Sequence, residues 1–221
     1  MTANGTLAAD LEASDENIVS DVFHRAIISD EKVLHFASGL TDNTRTFNTG
    51  FVAGYNRYLE DKRDELPAGC AEKEWVRPID EASLGRMLIS FGIRYGLGRV
   101  QEGIAAAAPP GEVVARVELD FEPKQVLGSN AIALGKDMTD SGRGILFGNP
   151  HYPWQGSARF HMIHTTIPGV VNTMGASLLA GNFIAIGYNE NVAWTHTVST
   201  AMRFTLFELQ LNPDNPMQYR R

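Results

Sequence analysis

Near residue 110 the chain changes its hydrophobic period, and this limits it to folds in which a block of helices precedes a block of strands. Before that point apolar residues recur three and four apart. Ile18, Val22, Phe23 and Ile27 share one helical face, and Phe47, Phe51, Tyr55, Tyr58 and Leu59 share another. Leu84, Met87, Leu88, Phe91 and Tyr95 form a third, behind Asp80, whose carboxylate can accept from the free N–H groups of a first turn. Loops are expected at 38–43 and 66–69. The alanines at 105–108 run into Pro109-Pro110-Gly111. Two successive prolines remove two backbone donors and fix φ, so the helical region ends there.

Beyond Gly111 the period falls to two. Val113, Ala115, Val117 and Leu119 alternate with Val114, Arg116, Glu118 and Asp120. Further strands are expected at 130–134, 145–147, 159–163, 183–188, 192–198 and 203–211, with Gly-Asn, Asn-Pro, Pro-Gly and Asn-Glu-Asn as punctuation. The order reads as α+β: a mostly helical segment over 1–128, then antiparallel strands over 129–221.

Composition narrows the function classes. The 221 residues are 43% hydrophobic and 20% charged, which suits a globular core and excludes disorder, collagen and a coiled coil. No run approaches the roughly 18–20 apolar residues of a membrane span. The net charge is −7 and no Lys/Arg-rich run occurs, so nucleic acid is not an expected partner. Cys70 is the single cysteine, which excludes an internal disulfide and a cysteine metal cluster. The first seventeen residues are polar and acidic, with neither the basic start nor the apolar stretch of a signal peptide.

Few strings carry chemistry on their own. In Gln125-Val126-Leu127-Gly128-Ser129-Asn130-Ala131 a glycine leaves the neighbouring hydroxyl unobstructed; read alone, this is a tight turn entering a strand. In Phe147-Gly148-Asn149-Pro150-His151-Tyr152-Pro153-Trp154 two prolines bracket a histidine, so a stiff loop could aim the ring. His161 and His164, three apart in a strand and its exit, fall on opposite faces and make a poor metal pair. His196 shares a face with Trp194 and reads as a buried, hydrogen-bonded histidine. Gly96-Leu97-Gly98-Arg99 lies inside or at the end of a helical pattern rather than forming a phosphate loop, and there is no Gly-x-Ser-x-Gly elbow. Residues 141–144 read as a flexible turn between strands. No metal site is expected.

Taken in order, several strings resemble the penicillin acylase family of N-terminal nucleophile hydrolases, and most closely its acyl-homoserine lactone and aculeacin acylase branch. They are Phe51-Val52-Ala53-Gly54-Tyr55-Asn56-Arg57-Tyr58-Leu59, Trp75-Val76-Arg77-Pro78-Ile79 and Gly128-Ser129-Asn130, then Gly148-Asn149-Pro150-His151-Tyr152-Pro153-Trp154. Ile186-Gly187-Tyr188-Asn189, Val192-Ala193-Trp194-Thr195-His196-Thr197 and Leu211-Asn212-Pro213-Asp214-Asn215-Pro216 complete the set. The likeness runs, with gaps, from about residue 40 to 219.

The resemblance implies a precursor that cuts itself between Gly128 and Ser129, giving an α/β heterodimer. Ser129 then carries both the nucleophilic hydroxyl and a free α-amine, which titrates near 7.7–8.0 and can serve as its base. The hydroxyl attacks an amide carbonyl, an acyl-enzyme forms, the amine leaves and water releases the acid. The family's backbone oxyanion donor matches Val198, and the histidine that contacts the α-amine matches His151. Tyr152 stands where the family has Phe at the mouth of the acyl pocket; Trp154, Ile163 and Trp194 are wall candidates by their chemistry alone. The implied substrate is an N-acyl amide, acyl-homoserine lactone or penicillin-like, with no cofactor. The implied location is periplasmic or secreted, and the implied core is an αββα sandwich of which this segment supplies part. The family's second oxyanion donor, an Asn with a supporting Arg, is expected beyond residue 221, and further sequence before residue 1. Two other readings remain open: an inactive remnant or acyl-binding module, and one piece of a split acylase completed by a partner chain.

Overall fold

Short polar residues set the start of every long helix. In the computed structural model, which describes residues 1–94, 96–108, 128–156, 158–179, 181–199, 205 and 207–220, Ser14 caps α2 (Asp15–Ile27) and Ser29 caps α3 (Asp30–Ser38). Thr41 caps α4 (Asp42–Asp61) and Asp80 caps α5 (Glu81–Ile93). Each side-chain oxygen accepts from the N–H three residues on, at 3.3, 3.3, 3.3 and 2.7 Å. Such a cap contributes about 1 kcal/mol. The acids that follow, Asp15, Glu16, Asp30, Glu31, Asp42 and Glu81, lie at the positive end of each helix dipole. Two short helices, α1 (Leu7–Asp10) and α6 (Gln101–Ala105), pack on α2. The loop expected at 38–43 is shorter than its sequence suggests, because Thr41 is already a cap and Asp42 already helical. Helix α3 is an addition that the apolar spacing did not announce.

The described residues form two compact units. The helical unit, residues 1–108 with 205 and 207–220, centres on Phe23, Ile28, Val33, Leu59, Leu84 and Val100. Burying such a side chain contributes about 1.5–3 kcal/mol. The expected apolar faces are only partly the buried ones. Phe23 is 1% exposed, but Ile18 and Val22 are 44% and 43% exposed, and the inward face of α2 continues through Ser20, Asp21 and His24. These polar groups are satisfied by tertiary partners, which a hydrophobic period cannot register. Asp21 accepts from the N–H groups of Leu7 and Ala8 at 2.8 and 2.9 Å. His24 Nδ1 donates to the Ser20 carbonyl at 2.8 Å, and Nε2 meets Ser90 Oγ at 3.2 Å. On α4, Phe47, Tyr55 and Tyr58 face outward while Asn48 and Leu59 are buried. Asn56 holds the loop before α5 by exchanging both of its amide hydrogen bonds with the Ile79 backbone, each 2.8 Å. Tyr95 and the expected stop at Pro109-Pro110-Gly111 lie outside the described residues, as does the expected strand at 113–120. The unit also carries a short hairpin of β7 (Leu211–Asn212) and β8 (Asn215–Tyr219). Of the strand expected at 203–211, only its last residue, Leu211, is extended ladder among those described.

The second unit, described over 128–199, holds two antiparallel sheets. Strands β1 (Gly128–Leu134) and β2 (Ile145–His151) pair along their whole length, from Gly128 opposite His151 to Leu134 opposite Ile145. The turn between them contains residues 141–144 as expected, with Gly142 at φ +64° and the Thr139 hydroxyl donating to Arg143 O at 2.6 Å. The other sheet has the order β3 (Phe160–Ile167), β4 (Val171–Leu178), β5 (Ile186–Tyr188), β6 (Ala193–Trp194). The expected strand at 192–198 shrinks to two residues and that at 183–188 to three; those at 145–147 and 159–163 lengthen. Strand β4 is new. Its Asn172, Gly175 and Ser177 dilute the β-branched signal, yet they suit an interior strand: a methyl on Gly175 would run into the Ile186 carbonyl of β5. The chain is therefore α+β, helices first and antiparallel strands after.

Candidate active site

An antiparallel pair brings the start of one strand beside the end of the other. Here that juxtaposition joins two strings that the sequence keeps apart. Gly128 and Ser129 are the first two residues of β1, not a turn before it, and His151 is the last residue of β2, not part of a loop; the stiff segment begins after it, at Tyr152. Gly128 stands opposite His151, and Ser129 opposite Pro150, which brings no N–H to the ladder.

Gly128 is required by the approach of the ring. A methyl group at this position would sit 3.0 Å from His151 Nδ1, so any side chain would push the imidazole away. The half-buried Ser129 donates its hydroxyl to the carbonyl oxygen of Gly128, a very short contact that holds Oγ beside the peptide group preceding it. On the far side of the ring, Asn149 Nδ2 lies 3.3 Å from His151 Nε2. Residues 149 and 151 share one face of β2 because strand side chains alternate. The ladder thus brings His151 onto Gly128, the residue before Ser129, with Asn149 as a further member that motif reading did not single out. Its two-residue spacing from His151 is a signal only once 145–151 is known to be a strand.

A second junction reaches the string that contains Val198. A methyl on Gly148 would lie 2.7 Å from Thr195 Oγ1 and 3.0 Å from Thr195 Cβ, so β2 and the segment leaving β6 touch through a bare backbone. Val198 lies three residues beyond Thr195, outside any strand and 41% exposed. His196, expected to be buried, is exposed. Trp194 is half-buried in β6, opposite Gly187. Tyr152 packs its ring on Phe160, centroids 5.0 Å apart, and Ile163 is half-buried in β3. Trp154 is 93% exposed among the described residues.

The other histidines of this unit lie apart from the site. His161 and His164 both belong to β3, on opposite faces. His164 Nε2 meets Asn172 Oδ1 at 2.8 Å, and the Asn172 amide donates to Glu190. That hydrogen bond, first among the causes, holds the Glu190 carboxyl below its usual range. Among the described residues no group of three or more His, Cys, Asp or Glu side chains could hold a metal, and no helix is long and apolar enough to cross a membrane. A cleft of about 620 Å³ lies on the helical unit, between Leu59, Leu66, Cys70, Lys73 and Val76, and is lined by none of Gly128, Ser129, Asn149 or His151.

A serine near the head of a strand is bonded to the carbonyl of the glycine before it, and that glycine faces a histidine across the ladder. The family described as penicillin amidase matches residues 1–221, and the chain belongs to that family. It is 38% identical over 216 residues to the acyl-homoserine lactone acylase PvdQ of Pseudomonas fluorescens, a match covering 92% of this chain and 28% of that protein. The PvdQ acylase of Pseudomonas putida is 39% identical over 224 residues, covering 97% of this chain and 29% of its own length. Aculeacin-A acylase of Actinoplanes utahensis is 40% identical over 192 residues, covering 80% and 24%. The chain thus spans less than a third of the length of these relatives.

Proposed function

We propose that this chain carries the processing site and nucleophile of an amidohydrolase acting on N-acyl amides, with Ser129 as the reacting group. The carrying observation is the head of β1: Ser129 Oγ against the Gly128 carbonyl, and His151 packed on Gly128 from the opposite strand.

The first step is self-cleavage. Ser129 Oγ attacks the carbonyl carbon of Gly128, the C–N bond breaks, and the proton leaving the hydroxyl ends on the Ser129 nitrogen. Water then hydrolyses the resulting ester, giving a carboxylate at Gly128 and a free α-amine at Ser129. A useful fraction of an α-amine titrating near 7.7–8.0 is unprotonated at neutral pH and can act as a base. It takes the proton from its own hydroxyl as Oγ attacks the substrate amide; the acyl-enzyme forms, the amine departs with the proton, and water releases the acid. The backbone N–H of Val198 is the proposed oxyanion donor, and Tyr152, Trp154 and Trp194 the proposed acyl-contacting residues. Acyl-homoserine lactones are the first substrate class, supported by the names of the relatives, with penicillin-like amides second. No cofactor takes part. The mature form is a two-chain α/β assembly located in the periplasm or outside the cell.

Mass spectrometry of the purified chain tests the reading: two fragments separating before Ser129 are expected. Ser129→Ala abolishes both cutting and release of acyl product, and His151→Ala slows both while the chain stays folded by circular dichroism. Residual turnover in Ser129→Ala would exclude this nucleophile. A second reading, that other polypeptide completes the site, is favoured by the exposure of Ile132, Ile145 and Phe147 on the β1–β2 hairpin. Cleavage appearing only when a second chain is added supports it.

A further inference from the structure

We propose that Asn149 is a positioning residue that sets the tautomer of His151, keeping the ring proton on Nδ1, the nitrogen packed against Gly128. The inference rests on the processing reading above and adds to it the protonation pattern of the histidine.

The argument starts from what an amide can do. The NH₂ group of asparagine only donates, so a contact of 3.3 Å between Asn149 Nδ2 and His151 Nε2 requires a lone pair on Nε2. A neutral imidazole with a free pair on Nε2 carries its hydrogen on Nδ1. Nδ1 is the atom that a methyl on Gly128 would meet at 3.0 Å, so the N–H end of the ring is the end packed on Gly128, the residue before the proposed cut. Both side chains project from the same face of β2, two residues apart, and pairing along the whole of β1 fixes that stretch of backbone. Asn149 therefore needs no further partner to hold its place.

The tautomer has a consequence for charge. As Oγ adds to the Gly128 carbonyl, negative charge grows on that oxygen, and a donor aimed at the peptide stabilises it, whereas a lone pair there repels it. The opposite tautomer would present a lone pair on Nδ1. Asn149 touches no reacting atom and acts only through the ring of His151.

The test reads the tautomer directly. Long-range ¹H–¹⁵N NMR on the full Ser129→Ala chain with ¹⁵N-ring-labelled histidine, His151 being assigned by its loss in a Ser129→Ala/His151→Ala chain, is expected to show a protonated Nδ1 and an unprotonated Nε2. Asn149→Asp exchanges a donor for an acceptor; it is expected to move the proton to Nε2. In the Ser129 background the same substitution is expected to slow cleavage at 128–129 about ten- to hundredfold. That is less than the roughly 10⁴ lost when a serine-protease histidine is held in the wrong tautomer, since an exposed amide is a weaker anchor than a buried carboxylate. A parent spectrum with the proton on Nε2, or an Asn149→Asp chain with unchanged tautomer, overturns the assignment. The spectrum is taken on an uncleavable chain, so a parent that never cuts itself would count against the proposed function while leaving this assignment to be decided by the NMR.

Discussion

Replacing Gly148 by alanine tests how the β1–β2 hairpin is joined to the segment that carries Val198. The new methyl would stand 2.7 Å from Thr195 Oγ1, 3.0 Å from its Cβ and 3.5 Å from its Cγ2. Carbon atoms pack best about 3.5–4.0 Å apart, so the Cβ contact is too close by about half to one ångström. Rotating threonine moves Oγ1 and Cγ2 but not Cβ, and a β-branched side chain has few rotamers to offer. The backbone must shift or the overlap persists, at an over-packing cost of about 1–3 kcal/mol. Urea unfolding followed by fluorescence measures this, in a chain whose Trp75 and Trp154 are changed to Phe so that Trp194, next to Thr195, is the reporter. Thr195→Gly removes every atom in the clash. The double variant should recover stability, with a coupling of at least about 1 kcal/mol in the two-site cycle. Additivity within about 0.3–0.5 kcal/mol would show that residues 148 and 195 do not touch and would refute the packing argument.

Two further outcomes follow from the helical unit. Asp21→Ala strands the N–H groups of Leu7 and Ala8, and is expected to cost about 1–3 kcal/mol and to speed amide hydrogen exchange at both positions; unchanged exchange would mean that the N-terminal segment is held by other groups. The Asp80 carboxyl lies below its usual range, chiefly through the hydrogen bond from the Ser83 hydroxyl and then through the Ser83 N–H. A depressed folded-state value makes this contribution full above the ordinary aspartate range of about 4 and removes it as pH falls through the folded value. Asp80→Ala should therefore lose about 1 kcal/mol near neutral pH, with the gap to the parent closing on acidification. A gap that stays constant with pH would exclude the carboxylate as the cap.

Much of this architecture is legible in the sequence because local chemistry and tertiary role coincide. Asp80 reads as a cap and is one; helices precede strands as the change of period implies, the last described helix ending at Ala105 and the first described strand beginning at Gly128. Legibility fails where tertiary partners substitute for apolarity. The inner face of α2 holds Ser20, Asp21 and His24; the Asp21 carboxylate and His24 Nε2 are satisfied by Leu7, Ala8 and Ser90, residues that no window on α2 contains. Strand β4 is hidden because an interior strand crossed closely by β5 needs Gly175 where a typical strand would show valine. At the site, the ordered motifs name Gly128, Ser129 and His151, but only the register of β1 and β2 shows that His151 lies opposite Gly128. Reading 150–153 as a stiff loop obscured Asn149, because a loop has no alternation to place it beside His151. Thr195 against Gly148 is a contact between segments with no periodic relation, so only the fold could disclose it.

The register of the hairpin also decides what survives a cut chain. Termini ordinarily fray, since nothing offsets the entropy of their last residues. A scission ahead of Ser129 would fall at the open end of the ladder, leaving the positions from Ser129 opposite Pro150 to Leu134 opposite Ile145 still paired. The new chain end would then stay tied to β2 by the ladder that follows it, so its place would be set before the bond opens rather than found afresh.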